Sequence, residues 1–222
     1  MGERLVNHHH SSDDVDQYTE EFWNERYGSV EQIWSGKPNR RLVEQAAELV
    51  PGSALDVGCG EGADAIWLAE RGWQVTALDV STVALDRGAA RAAAIGDQVV
   101  QRISWLPADL LTWDPAPAQF DLVSAQFMHL PQAPLEALHR RLAAAVRPGG
   151  SLLIVGHHPS DMDTTMGRPG HGGLMFTAEQ IAASLDPGEW QIVLTAAPER
   201  EAVDPEGAAR RIHDAVLHAV RR

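Results

Sequence analysis

Leu55-Asp56-Val57-Gly58-Cys59-Gly60-Glu61-Gly62 is the stretch on which the fold turns. Ala54 to Val57 is a short apolar run, long enough only for a buried strand, and it ends in alternating glycines. Ala63 to Arg71 follows with Ile66, Leu68 and Ala69 at helical spacing and Gly72 at the stop position. A strand that passes through glycines into a helix combines two properties. Glycine permits a tight turn and lets a ligand approach the backbone closely. The start of the helix offers N–H groups with no partner inside the helix.

Outward from this loop the alternation continues. Gln74 to Leu78 predicts a second strand ending at Asp79, and Ser81 to Ile95 predicts an alanine-rich helix capped by Ser81 or Thr82. Ile103 to Pro107, Phe120 to Ala125 and Ser151 to Val155 predict strands three to five. Pro134 to Val146 predicts a helix that stops at Arg147-Pro148-Gly149-Gly150. Strands alternating with helices mean βαβ units, hence a parallel α/β sheet covered on both faces. Thr177 to Leu185 predicts a helix with a capping box of Thr177 and Gln180, and Trp190 to Ala196 predicts a strand. Ala208 to Arg221 fits either a strand or one helical face, and periodicity leaves both open.

The chain has 222 residues, which suits one domain over residues 17–222 behind a polar tail at 1–16. His8, His9 and His10 in that tail are given no functional role. A net charge of −13 argues against partners that are nucleic acids or anionic membranes, since both need a basic surface. The pairs Arg40-Arg41, Arg140-Arg141, Arg210-Arg211 and Arg221-Arg222 are scattered and read as solvated faces. Cys59 is the only cysteine, which excludes an intramolecular disulfide and a thiolate zinc cluster. Lys37 is the only lysine and precedes Pro38, so no phosphate loop of the Gly-Lys-Ser/Thr kind exists. No apolar run reaches the ~20 residues of a membrane span, and residues 1–16 do not read as a signal peptide. A cytoplasmic protein is expected.

Two acids sharpen the ligand reading. Asp79 ends the second strand, where its carboxylate suits both hydroxyls of a ribose. Asp109, in Leu106-Pro107-Ala108-Asp109-Leu110, follows the third strand and suits an adenine amine. Both lie past strand C-termini, the edge at which open α/β sheets bind ligands. Gly58, Gly60 and Ala63 also satisfy a dinucleotide fingerprint. Nicotinamide or flavin dinucleotides therefore compete with S-adenosylmethionine.

From about residue 20 to 220 the chain resembles the class I S-adenosylmethionine-dependent methyltransferases. The likeness rests on Leu55 to Gly62, Asp79, Asp109, the fourth-strand segment Phe120 to Leu130 and the turn Leu142 to Gly150, in that order. It implies a seven-stranded Rossmann-like sheet, mostly parallel, with helices on both faces. The last strand, about Ile212 to Val220, would insert antiparallel between the fifth and sixth. It also implies that Asp56, Gly58, Cys59, Gly60, Gly62, Asp79, Val80, Asp109, Leu110 and Gln126 bind the cofactor.

Phe22, Trp23, Tyr27 and Trp34 crowd the segment ahead of the sheet in a chain that is only 6% aromatic. Residues 17–50 are similar to the N-terminal helical lid of small-molecule methyltransferases of tellurite-resistance and thiopurine type. By that likeness Trp34 faces cofactor or acceptor, and Arg26 or Asn39 holds the methionine carboxylate. A base is needed only when the methyl acceptor is protonated and weakly acidic. The candidates are His129, past the fourth strand, and His157 and His158, past the fifth. Residues 157–176 form a long loop on the acceptor side. His157, His158, Asp161, Asp163 and His171 lack metal-motif spacing, so no metal is expected.

The sequence thus points to methyl transfer from S-adenosylmethionine to a small-molecule O, N or S acceptor by a monomer or homodimer, with S-adenosylhomocysteine as product. The alternatives are an NAD(P)-dependent oxidoreductase and a non-catalytic nucleoside-binding module. The first lacks a hydride-side residue, because Tyr18, Tyr27 and Lys37 all precede the sheet.

Overall fold

β1 (Ser53–Val57) is buried at every position after its first, which requires a central strand with both faces covered. The computed structural model describes residues 19–128, 130–161 and 175–222. β2 (Gln74–Asp79), β3 (Ile103–Pro107), β4 (Phe120–Gln126) and β5 (Val146–His157) run parallel with β1. β6 (Trp190–Ala196) and β8 (Ala209–Arg221) complete the order β3-β2-β1-β4-β5-β8-β6, with β8 antiparallel to both its neighbours. Ala208 to Arg221 is therefore a strand. Its two apolar sets, both buried, face opposite sides of the sheet.

The expected seven strands become eight. β7 (Glu199–Val203) pairs with the first half of β8 and lies off the main path. Asp204 closes the hairpin by accepting from the backbone N–H groups of Glu206 and Ala208, and Gly207 turns at φ +86°. Glu199-Arg200-Glu201 carries too little apolar character to signal a strand, because this hairpin rises beyond the core.

The helices divide between the two faces. α2 (Arg40–Ala46), α3 (Ala63–Glu70), α4 (Thr82–Ile95) and α5 (Asp97–Val100) pack on one side, through Leu42, Leu68, Ala92 and Val99. α6 (Gln132–Ala145) and α7 (Ala178–Ala183) pack on the other, through Leu138, Leu142 and Ile181. Ser81 caps α4 by accepting from the Ala84 N–H, and Thr177 and Gln180 form the capping box of α7. α1 (Glu20–Gly28) lies against the start of α4, where Asn24 Oδ1 accepts from Ser81 Oγ at 2.8 Å.

Arg41 departs from its expected solvated face. It is 4% exposed and donates through Nε to Asp214 Oδ2 at 3.1 Å. Asp214, on β8, also accepts from Arg200 of β7 at 2.8 Å. One buried carboxylate thereby ties α2 to the β7–β8 hairpin. Among the described residues, no helix is long and apolar enough to cross a membrane.

Candidate active site

The glycine loop follows β1, and its shape is set by backbone that only glycine adopts readily. Gly58, Gly60 and Gly62 have φ of +65°, +52° and +75°. A Cβ at Gly62 would lie 2.3 Å from the Trp105 ring, and one at Gly60 would lie 2.9 Å from Tyr27 Oη. The Cys59 N–H donates to the Leu78 carbonyl, and the half-buried thiol stays within the loop.

Asp79 fastens this loop to the end of β2. Its Oδ2 accepts from the Gly60 N–H at 2.8 Å and its Oδ1 from the Ser81 N–H at 2.9 Å; the Val80 N–H adds a further bond. Three donors on two oxygens leave one lone pair of the carboxylate open. Asp56 and Asp64 lie beneath the loop. Asp56 accepts from the Ala65 N–H, but its buried Oδ2 has no hydrogen-bond partner among the described residues. Asp64 accepts from the Asn39 N–H at 2.6 Å. Burial pushes all three carboxyls up. Asp56 rises well above the usual range, helped by the nearby charges of Asp64 and Asp79. Asp64 rises to about 6, and Asp79 rises in spite of its three N–H donors. Three acids in so little water make the loop a place that favours a cation.

The N-terminal segment roofs the loop. Trp34 Nε1 donates to Tyr27 Oη at 2.9 Å, directly above Gly60. The Trp34 N–H donates to Glu61 Oε2 at 3.3 Å. Arg87 and Arg91 of α4 clamp this cover through Glu61 and through the Val30 and Gly36 carbonyls. Burial, with the Asp79 charge, pushes the Tyr27 phenol up, so it stays neutral.

At the end of β4, Gln126 Nε2 donates to Ser124 Oγ, while its buried Oε1 has no partner among the described residues. Phe127 follows with φ +54°, a left-handed conformation rare for a bulky residue. Its ring stacks on His157 at 4.7 Å, and the Arg200 guanidinium lies 5.7 Å from it. Met128 covers Gly58 with its sulfur.

Asp56, Gly58, Cys59, Gly60, Gly62, Asp79, Val80 and Trp34 thus converge on the loop, and Gln126 stands at the neighbouring strand end. Asp109 is exposed and closes its own turn by accepting from the Leu111 N–H. Leu110 is buried in the core. Arg26 is exposed on α1 beside Trp23. Asn39 caps α2, accepting from the Arg41 N–H. His157 and His158 stand at the end of β5, whereas His129 lies outside the described residues, as do residues 1–18 and 162–174. Among the described residues, no three His, Cys, Asp or Glu side chains are grouped to hold a metal ion.

Four polar residues around this edge had little sequence signal. Asp64 is an acid in the first turn of α3. Asp161 stood in a polar loop, and His213 and Asp214 interrupt an apolar strand. That interruption was the one available hint.

Residues 54–150 match the family described as a methyltransferase domain. Rat glycine N-methyltransferase is 33% identical over 153 residues, which cover 60% of this chain and 51% of the relative. The chain spans about half the length of the curated relatives it matches first. A structure described as "Conversion of a Disulfide Bond into a Thioacetal Group during Echinomycin Biosynthesis" superposes with a TM-score of 0.69, at 23% identity, over 91% of both chains. A glycopeptide N-methyltransferase complexed with S-adenosylmethionine superposes at 0.61, with 17% identity, over 84% of this chain and 88% of that one. Residues 54–150 thus match a methyltransferase domain, and the chain shares its fold with the two superposed structures.

Proposed function

We propose that this protein binds S-adenosylmethionine on its glycine loop and transfers the methyl group to an O, N or S atom of a small molecule. The observation that carries this reading is the buried, unpartnered Asp56 Oδ2 beside Asp64 and Asp79. A buried acceptor without a donor costs stability, and a cationic ligand with N–H groups removes that cost. When bound, S-adenosylmethionine supplies a methyl group on a positively charged sulfur and leaves as S-adenosylhomocysteine.

The chain's own groups suit that ligand. Asp79 offers its remaining lone pair to the ribose hydroxyls, and Asp109 offers a carboxylate oxygen to the adenine amine. Asp56 and Asp64 supply negative potential for the methionine ammonium. Trp34 and Tyr27 keep water from the loop, and an aromatic face favours a nearby cation. Gln126 Oε1 stands ready to accept a bond at the end of β4. Residues 19–50 serve as the lid, and residues 157–161 and 175–176 border the acceptor. The remaining task is alignment of acceptor and methyl group, which is where most of the rate of such a displacement arises. The net charge of −13 favours a small molecule over a nucleic acid as acceptor.

Calorimetric titration with S-adenosylmethionine, S-adenosylhomocysteine and NADH checks this. Binding of the first two and not of NADH is expected. Binding of NADH alone overturns the reading.

A further inference from the structure

We infer that His213, oriented by the buried Asp161, is the base that takes a proton from the methyl acceptor, and that His158 beside it is a fixed hydrogen-bond donor. This rests on the methyltransferase reading above.

Hydrogen-bond direction assigns the two rings. The Ser160 backbone N–H donates to His158 Nδ1 at 3.2 Å. An N–H can only donate, so Nδ1 holds a lone pair and neutral His158 carries its proton on Nε2. Ser160 Oγ lies 2.8 Å from the same Nδ1 and 3.4 Å from Asp161 Oδ1, so its one proton has both as acceptors. Asp161 is 3% exposed and grips His213 twice. Its Oδ2 accepts from the His213 backbone N–H at 2.6 Å, and its Oδ1 stands 3.0 Å from the ring Nδ1. A carboxylate can only accept, so Nδ1 of His213 carries a proton, and in the neutral ring Nε2 holds the lone pair. Ser160 Oγ, 3.3 Å from His213 Nδ1, accepts in the same sense.

The rings stand at one edge of the sheet. Asp161 ends the short 3₁₀ turn Pro159–Asp161 that follows β5. His213 lies on β8 beside it, with its ring 6.2 Å from that of His158. This is the strand-end edge that also presents Gln126, Phe127 and His157. The His213 side chain is 29% exposed, and its Nε2 lies 3.6 Å from Glu199 Oε1, beyond hydrogen-bond reach. Glu199 is itself turned toward Arg211 at 3.7 Å. Among the described residues, the charged or titratable groups facing His213 are therefore Asp161, Glu199 and His158, with Arg211 behind Glu199.

The step balances. The acceptor X–H gives its proton to His213 Nε2, and the freed electron pair forms the bond to the methyl carbon. The carbon–sulfur bond breaks with its pair remaining on sulfur, and the ring later releases the proton to water. Asp161 is a positioning residue that holds the tautomer.

Two measurements test the assignment. In ¹⁵N NMR of histidine-labelled protein, His213 should be unprotonated at Nε2 and His158 at Nδ1, and Asp161→Asn should disturb only the former. The opposite tautomer at His213 overturns the proposal whatever the acceptor. In methyl transfer to 4-methylphenol, protonated at about pH 8, His213→Gln should lose about 10²–10⁴-fold. With 4-nitrothiophenol, already anionic, the loss should stay within about threefold, because no base is required. Equal losses with both probes, or none with the phenol, overturn the proposal. Failure of the wild-type protein to bind S-adenosylhomocysteine would instead remove the methyltransferase reading and leave the tautomers standing.

Discussion

Replacing Asp214 by alanine tests the buried ion network. The Asp214 side chain is 2% exposed and that of Arg41 is 5%. Removing the carboxylate strands a guanidinium that water scarcely reaches, and breaking such a pair from one side costs about 3–5 kcal/mol. Two features place this case at the lower end. Arg41 keeps Glu44 at 3.0 Å, although that partner is 37% exposed, and it keeps the Glu199 carbonyl at 3.2 Å. The second cation, Arg200, is 32% exposed and loses little when released into water. We expect about 3 kcal/mol, equivalent to about 6–12 °C in Tm for a chain of this size. Urea unfolding followed by tryptophan fluorescence should show a lower midpoint with an unchanged slope. Arg41→Met combined with Asp214→Leu removes both charges and should recover most of the loss. A cost below about 1 kcal/mol for Asp214→Ala would refute the reasoning, since it would make the network an ordinary surface pair.

Burial lowers His139 to about 4, below its unfolded value of about 6.5. The unfolded chain therefore binds the proton first, and this group's contribution is whole above about pH 6.5 and lost toward pH 4, by about 3 kcal/mol. Unfolding midpoints measured across that range should fall steeply for the wild type and less for His139→Leu. Gly88→Ala, which in an exposed helix would stabilise by about 1 kcal/mol, should instead destabilise by about 1–3 kcal/mol. The added Cβ would stand 2.6 Å from the Trp105 ring, and Trp105→Leu should relieve the loss in thermal melts. Asp79→Ala strands the Gly60 and Ser81 N–H groups. It should lower stability by about 1–3 kcal/mol and weaken S-adenosylmethionine binding by a similar amount in calorimetry.

The parallel strands and the glycine loop were legible because each is specified locally. Apolar runs ended at glycine or aspartate, and the glycines themselves required positive φ. Ser81 and Thr177 marked helix starts for the same reason. What the sequence did not disclose depends on partners far away along the chain. Arg41 looked solvated because its partner, Asp214, lies 173 positions on. His157 and His158 drew attention as an adjacent pair, whereas His213 becomes chemically distinct only through Asp161, 52 positions earlier. β7 was missed because its side chains are mostly charged, and pairing with β8, not burial, makes it a strand. Asp56 was expected from its place before the glycines, but its unpartnered oxygen is visible only once the loop is folded.

The place of β8 has a consequence for synthesis. Among the described strands it is the last in chain order, yet it pairs with β5, β6 and β7. Until it emerges, β5 and β6 present open edges rich in Leu, Ile and Val, and such edges invite pairing with other chains. The nascent protein must therefore wait with its sheet split. Asp161 cannot yet hold His213, and Arg41 has no carboxylate to bind. The Arg41–Asp214 and Asp161–His213 ties therefore form together, when residues 209–221 pair between β5 and β6.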